Sequence, residues 1–475
     1  MIENRVVICP ICGKKTWLRI QVGGYLNEYP IRVNCINCRA LLKGVFVMDG
    51  ESKLRGLTMF NAEIEECDID SSVSSGVKSS KDSFTIRNAD YVAEISGELP
   101  CKYVCEYKGG LPISPFLEIA DNVESIEERK TRFIYFTKNM ENWNATKGTA
   151  FQLLDEGSIE YIAIALKNRI GKYSYECDHY LKSLHCLQEV VLDETKYLFL
   201  NSSQDDYVIQ LIEDLAQVDK DKLHQFNESI GGIEELMRAY RKAVNVFSSF
   251  MAIYPNVLPA ETFMRINNNS NKNKCISTCS FSDLKAFYQD GYESLLTLLF
   301  IPVCLDNYVT RGDFQKYDMS YDDVNNGRGI RNCTQYRKLD NGTRINKMNK
   351  NEPYQKVVDI PANRLLRNGI GHNNIKYDGV TQEIKAFDLK NPNRITTQTS
   401  IMDMAVDCMG LARSSVVYSE IILFMLREEF RRENITTIIH PRFYKGVEPN
   451  MKCPCGSNRK FKKCCKNAFD ALRPL

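Results

Sequence analysis

The sequence carries almost no net charge: 62 Lys and Arg stand against 60 Asp and Glu, a formal +2 over 475 residues. So even a balance supplies no global field to draw in nucleic acid, and any RNA contact has to be local. Histidine is scarce, with five in the chain, which limits where a side chain can exchange protons near neutrality. No uncharged apolar run reaches the ~18 residues that a membrane span needs. The longest, Leu295 to Leu305, reads as the buried end of a helix broken by Pro302. The opening Met-Ile-Glu-Asn-Arg-Val-Val lacks the apolar stretch of a secretory signal. No Walker A sequence or other ATP-binding signature occurs.

What is present points to a folded protein. A hydrophobic content of 43% is ordinary for a globular chain, and the length suits about three domains. Eighteen cysteines are many, and eight of them fall in two compact clusters at the two ends of the chain. Such clusters need reduced thiolates, so the expected compartment is the cytoplasm, with no disulfide framework and no membrane.

Residues 1–48 hold Cys9-x2-Cys12 and Cys35-x2-Cys38, 22 residues apart. Each pair can form a tight knuckle, with Gly13 supplying the turn after the second thiolate, and four thiolates leave no open coordination position. This is the spacing of a zinc ribbon, which implies structural zinc rather than a catalytic metal. Between the pairs, Trp17 to Val22 and Tyr29 to Val33 alternate in the manner of a small hairpin. Residues 49–120 look β-rich, with segments at Leu57, Ser83 and Tyr91, an exposed Ser-rich loop from Ser71 to Ser83, and Cys101 and Cys105 as buried thiols. Residues 121–266 recur with apolar positions three and four apart, and Ser125 to Glu128 has the spacing of a capping box. Cys177, His179, His185 and Cys186 lie there on one helix with mixed faces and read as core and surface rather than ligands. Asn267 to Lys274 is too polar to pack and reads as a linker.

Residues 275–435 are expected to hold two long helices, Ser282 to about Ile301 and Ser400 to about Arg432, around a polar connection from Arg311 to Asn351. That connection is either a solvated loop or a place for RNA contacts through Arg328, Arg331, Arg337, Lys338, Arg344, Lys347 and Lys350. Between the helices lies Arg364-Leu-Leu-Arg367-Asn368-Gly-Ile-Gly-His372-Asn373-Asn374, then a hairpin at 375–387. A permanent cation at Arg367 and a proton-exchanging imidazole at His372 are the groups needed to cleave RNA without a metal. Arg364, Asn368 and His372 share one helical face, while Arg367 and His372 diverge by about 140° on an ideal helix. Gly369 and Gly371 offer a helix end or a left-handed turn where His372 would swing round.

At these residues the sequence resembles the HEPN superfamily, whose ribonucleases carry an Arg, four to six intervening residues and a His, usually with a polar residue after the Arg. The resemblance implies an HEPN-like helical bundle, a homodimer with two motifs facing across a two-fold axis, and an endoribonuclease leaving a 2′,3′-cyclic phosphate. Arg367 and His372 would carry the chemistry without a catalytic metal. Asn368 would position His372 or a phosphate oxygen, and Arg364, Asn373 and Asn374 would contact RNA. By analogy it also implies a toxin, abortive-infection or antiphage setting.

The C-terminal stretch 441–475 contains Cys453-Pro-Cys455-Gly-Ser-Asn458-Arg-Lys-Phe-Lys-Lys-Cys464-Cys465. It closely resembles the SEC-C motif, the small zinc knuckle that ends the SecA preprotein translocase. Asn458 stands where that family usually has glycine, and asparagine tolerates φ > 0 well enough to keep the turn. Nine Lys or Arg against two Asp or Glu make this stretch basic, suited to RNA, the ribosome or an acidic regulatory partner. The expected architecture is thus α+β and mainly α, with zinc modules at both ends. A non-catalytic zinc-module adaptor using the bundle as a dimer or RNA-binding platform is the alternative function, and an accessory role in translocation or at the ribosome a third.

Overall fold

The computed structural model describes residues 2–23, 26–48, 55–69, 85–112, 114–115, 140, 143–144, 146–166, 179–195, 215, 217–265, 274–317, 330–348, 363–433, 435, 446–454 and 457–467. The Ser-rich loop, the capping box at Ser125, the segment Tyr207 to Ile212, residues 267–273 of the linker, Cys177 and Cys455 lie outside them. The strands are β1 (Ile2–Ile8), β2 (Lys15–Gln21), β3 (Glu28–Asn34), β4 (Leu41–Met48), β5 (Arg55–Met59), β6 (Glu63–Glu65), β7 (Tyr91–Ser96), β8 (Cys101–Lys102), β9 (Cys105–Glu106), β10 (Lys274–Cys275), β11 (Ile375–Asp378), β12 (Glu383–Phe387) and β13 (Ile395–Ser400). After short helical turns within 147–165 come α1 (Tyr180–Thr195), α2 (Lys220–Ile230), α3 (Gly232–Ile253), α4 (Leu258–Arg265), α5 (Phe281–Leu296), α6 (Phe300–Arg311), α7 (Cys333–Arg337), α8 (Asn341–Met348), α9 (Arg364–Gly371) and α10 (Ile401–Arg432). The protein is mixed α+β, with cysteine clusters near both ends.

The chain forms two compact units. The first, Met1–Thr137, Ser249–Asp290 and Asn363–Met409, contains every strand listed above. A five-stranded sheet runs β6-β1-β2-β7-β9 and a three-stranded one β3-β4-β5. The expected hairpin between Trp17 and Val33 does not form: β2 pairs with β1 and, in parallel, with β7, while β3 pairs with β4. The physical reason is that each Cys-x2-Cys is itself a turn, so each joins the strands that flank it. Alternation along β2 sends Leu18 and Ile20 into a core with Tyr29, Ile31, Phe46 and Ile95, and Trp17 to the other face with Val6, Ile86 and Val92. On that second face Arg19 is opposite Glu94 and pairs with it at 3.1 Å, both almost fully buried. Cys101 is buried as expected, but Cys105 is exposed, because β9 is a two-residue edge strand.

A third sheet, β11-β12-β13, supports the motif helix α9. The hairpin foreseen at 375–387 is β11–β12. Asn363 caps α9 by accepting from the Leu366 N–H at 3.0 Å, and Leu366, Gly369 and Ile370 are its buried side.

The second unit, Lys138–Ser248, Gly291–Ala362 and Gly410–Leu475, is helical. Gln188 on α1 ties it together, accepting from the Tyr240 hydroxyl at 2.9 Å and donating to Ser419 Oγ at 3.0 Å. Trp143 meets Phe151 and Phe247 edge-on. His185 and Cys186 are buried, as expected of core positions. The run Leu295 to Leu305 breaks at 297–299 rather than at Pro302, which falls in the first turn of α6, where its missing N–H costs nothing. Residues 330–348 of the polar connection include two short helices: Arg337 donates to Ile230 O at 2.9 Å and lies over the Phe300 ring, and Arg344 reaches Leu296 O. These two arginines tie helices together, while Arg328 and Lys350 lie outside the described residues. Among the described residues α10 is long and apolar enough to cross a membrane, but its apolar window is buried within the protein.

Candidate functional site

The two knuckles near the N-terminus are built alike. Gly13 N–H donates to Cys9 O and Arg39 N–H to Cys35 O, while Cys9 N–H donates to Lys14 O and Cys35 N–H to Ala40 O. Gly13 (φ 69°) and Arg39 (φ 64°) occupy the same left-handed position. Sequence singled out the glycine but not the arginine, because left-handed geometry at an arginine has no local signature. Cys9, Cys12, Cys35 and Cys38 bring their Sγ atoms within 4.8 Å of one another, with 3.4 Å between Cys9 and Cys38 and 3.6 Å between Cys12 and Cys35. Four sulfurs at about 2.3 Å around one tetrahedral zinc would sit about 3.8 Å apart, so the donor set and its spacing fit structural zinc. The Asn37 side chain, then the Lys14 amide, lower the Cys12 thiol to about 6, whereas burial pushes Cys35 up to about 12. Asn37, inside the second Cys-x2-Cys, is the supporting residue that spacing alone did not reveal.

Near the C-terminus Cys453, Cys464 and Cys465 also converge within 4.8 Å, and Ser457 Oγ lies 3.0 Å from Cys464 Sγ. Asn458 takes φ 57°, the left-handed turn expected of it. Lys452 and Lys460 form a β-bridge, and Phe461 is buried. The three thiols fit structural zinc as a partial set, since Cys455 lies outside the described residues.

The motif helix α9 ends in a Schellman motif: Asn374 N–H donates to Gly369 O at 2.7 Å and Asn373 N–H to Ile370 O at 3.0 Å. The left-handed residue is Asn373, φ 53°, not Gly369 or Gly371 as the sequence led us to expect. Gly369 serves a different purpose, since an added Cβ would fall 2.6 Å from the Ala386 Cβ and 2.9 Å from Ile375 Cγ2. Gly371 has open space around it. Arg364, His372 and Asn373 are exposed, while Arg367, Asn368 and Asn374 are half-buried. Arg367 Nη1 donates to Asn368 Oδ1 at 2.9 Å, and Asn374 Nδ2 to Phe387 O at 2.9 Å. Because α9 stays helical through Gly371 with His372 as its C-cap, Arg367 and His372 flank the solvent side about 140° apart.

A third group, His224 and Glu228 of α2 with Glu429 of α10, was not anticipated. Glu429 is buried and satisfied by His224 Nδ1 at 2.7 Å and Asn227 Nδ2 at 2.6 Å, a hydrogen-bonded carboxylate that explains the cluster without an ion. No curated protein and no solved structure matches the chain. Residues 450–467, which include the C-terminal thiol cluster, match the SEC-C motif family.

Proposed function

We propose that the protein is an HEPN-type endoribonuclease acting as a homodimer, with a zinc ribbon at residues 1–48 and a SEC-C zinc knuckle at the C-terminal end. The supporting observation is the two-sided character of α9: Leu366, Gly369 and Ile370 are buried on one side, while Arg364, His372 and Asn373 are exposed and Arg367 and Asn368 half-buried. His372 would take the proton of a ribose 2′-OH as that oxygen attacks phosphorus. The bond to the 5′-oxygen breaks, that oxygen receives a proton, and a 2′,3′-cyclic phosphate and a 5′-hydroxyl remain. Arg367, oriented by Asn368, would neutralise the charge building on the phosphorane. With the pair about 140° apart on an ideal helix, the reading places Arg367 of one copy beside His372 of another. Arg364, Asn373 and Asn374 would line the RNA. Reduced thiolates at both ends suit a cytoplasmic setting, and defence or toxin action fits an RNA-cleaving dimer.

The test uses total RNA with wild type, His372→Ala and Arg367→Ala, end-group analysis of products, and zinc content followed in parallel. Wild type alone should cleave, in the presence of a chelator and with cyclic phosphate ends. Mixing the two inactive variants should restore activity, because a mixed dimer rebuilds one intact Arg367–His372 site. Equal cleavage by all three proteins defeats the reading. A second reading rests on the same divergence of Arg367 and His372 together with the SEC-C match: a non-catalytic adaptor in which the zinc modules recruit RNA, the ribosome or a regulatory protein. It predicts a dimer, or RNA binding, with no cleavage under any pairing of variants.

A further inference from the structure

A cavity of about 730 Å³ opens in the first unit, a size typical of sites for small organic ligands. Its walls come from β3 and β4, the first turn of α5, and β11 with its following turn. None of the motif residues 364–374 lines it, so it is a separate feature from the proposed catalytic pair.

The charge on these walls is one-sided. Arg32, Arg39, Lys43 and Lys376 face a single lining carboxylate, Asp378. Arg39 pairs with that carboxylate, which burial alone would raise but which Arg39 and the Val380 and Thr381 amides hold below its usual range. Arg32, Lys43 and Lys376 have no ion-pair partner among the described residues. In a chain whose total is +2, three uncompensated cations around one hollow form a local anion site. The N-terminus of α5 adds to it: Ser280 and Ser282 both line the cavity, their hydroxyls 2.7 Å apart, and first-turn amides favour negative charge. Asp283, exposed in the same turn, is not part of the lining.

Beside the cations lies a flat apolar surface. Phe281 and Tyr377, both lining residues, stack with centroids 4.4 Å apart and planes 16° from parallel. The wall is closely fitted, since a Cβ on Gly379 would strike the Asn34 side chain at 2.4 Å, and Asn34 is in turn held by donating to Arg39 O at 2.9 Å. Cations for phosphate next to an aromatic platform for a base is the combination that single-stranded nucleic acid and nucleotides use.

We propose that this cavity binds a nucleotide, its phosphate held by Arg32, Lys43, Lys376 and the start of α5, its base against the Phe281–Tyr377 pair. The same chemistry is offered by a free nucleotide and by one residue of an RNA strand.

The experiment titrates the full-length, zinc-loaded protein, carrying His372→Ala throughout so that the RNA is not cleaved, with a fluorescein-labelled 12-nucleotide RNA and, separately, with adenosine mono- and triphosphate. It compares the otherwise wild-type chain with Lys43→Ala/Lys376→Ala and with Phe281→Leu. Lys43 and Lys376 are exposed, so the double variant should fold, which its thermal midpoint checks. The expected result is a loss of affinity of at least tenfold in the double variant, a shallower salt dependence by about 1.4 in the log–log slope for two lost phosphate contacts, and a smaller loss in Phe281→Leu. If free nucleotide competes with RNA, the pocket takes it from solution; if only RNA binds, and the variants weaken it, the pocket takes a nucleotide within a strand. Unchanged binding by the folded double variant overturns the proposal. So does equal binding of polyglutamate, which marks a surface for acidic protein, and so does the absence of any binding by the otherwise wild-type chain.

Discussion

The two cysteine modules use the same ligand chemistry and lean on different things. In the N-terminal one, Cys9 and Cys35 belong to the apolar core of two sheets, and each knuckle is the turn of a hairpin with strands of seven or eight residues. In the C-terminal one, the described residues pair through the bridge between Lys452 and Lys460 and, among them, Phe461 is the large apolar side chain that is buried. A module that small cannot be held by apolar burial. If zinc fills both thiol clusters, it would add to an apolar core in the first module and do more of the holding in the second. The spacing of cysteines tells which residues bind, and the surroundings tell how much of the fold depends on it.

Metal removal is the strongest way to break that contrast. Cys465→Ser should abolish hydrogen-exchange protection across 446–467, since structural zinc contributes about 10–16 kcal/mol to small zinc peptides. Zinc content should fall from two per chain to one, with thermal unfolding of the remainder unmoved. Cys35→Ser should instead lower the thermal midpoint of the sheets while their strands stay protected. Equal loss in both places would erase the distinction.

The same dependence on surroundings can be sharpened at the two motif glycines. Gly369→Ala, with its Cβ 2.6 Å from Ala386, should cost about 1–3 kcal/mol in urea unfolding. Gly371→Ala, in open space, should gain about 0.5–1 kcal/mol from helix propensity. A third pair addresses the knuckle turns: Gly13→Ala should cost about 1–2 kcal/mol at φ 69°, whereas Asn458→Gly should leave the C-terminal turn intact, read as unchanged zinc affinity.

The smallest effect separates the modules by pH. Glu98, buried beside the N-terminal core, accepts from the Tyr29 hydroxyl at 2.7 Å and from the Gly23 amide, and burial raises its carboxyl above the usual range. With the folded value above the unfolded one, the unfolded chain releases this proton first. Its contribution is therefore intact below the unfolded value and is lost as pH rises through the folded one. Glu98→Gln, which keeps an acceptor for both donors, should flatten the decline of the thermal midpoint between acid and neutral pH.

Local chemistry was legible in the sequence where it is local in space. The cysteine pairs, the left-handed Asn458, the hairpin at 375–387 and the apolar face of α10 all follow from residues within a few positions of one another. What was illegible depends on distant partners. β2 and β7 meet across about 75 residues, and no pattern in Thr16–Gln21 names Tyr91–Ser96. Gly369 and Gly371 look alike until Ala386 and Ile375 arrive. Arg337 and Arg344 read as free cations because the carbonyls they hold, at Ile230 and Leu296, lie elsewhere in the chain. The same applies to the basic cavity, whose walls come from positions 32–43, 279–282 and 376–382.

The parallel pairing of β2 with β7 also sets an order of assembly. β1 to β4 and all four N-terminal thiols are complete by residue 48, but β7 begins at Tyr91. At about 5–20 residues per second of synthesis, that gap lasts about 2–9 s. Throughout it β2 is an edge strand with Trp17 and its open backbone unprotected, the kind of edge that recruits other chains. Arrival of β7 turns that edge into an interior strand, so the first sheet can close only once Tyr91–Ser96 has been made.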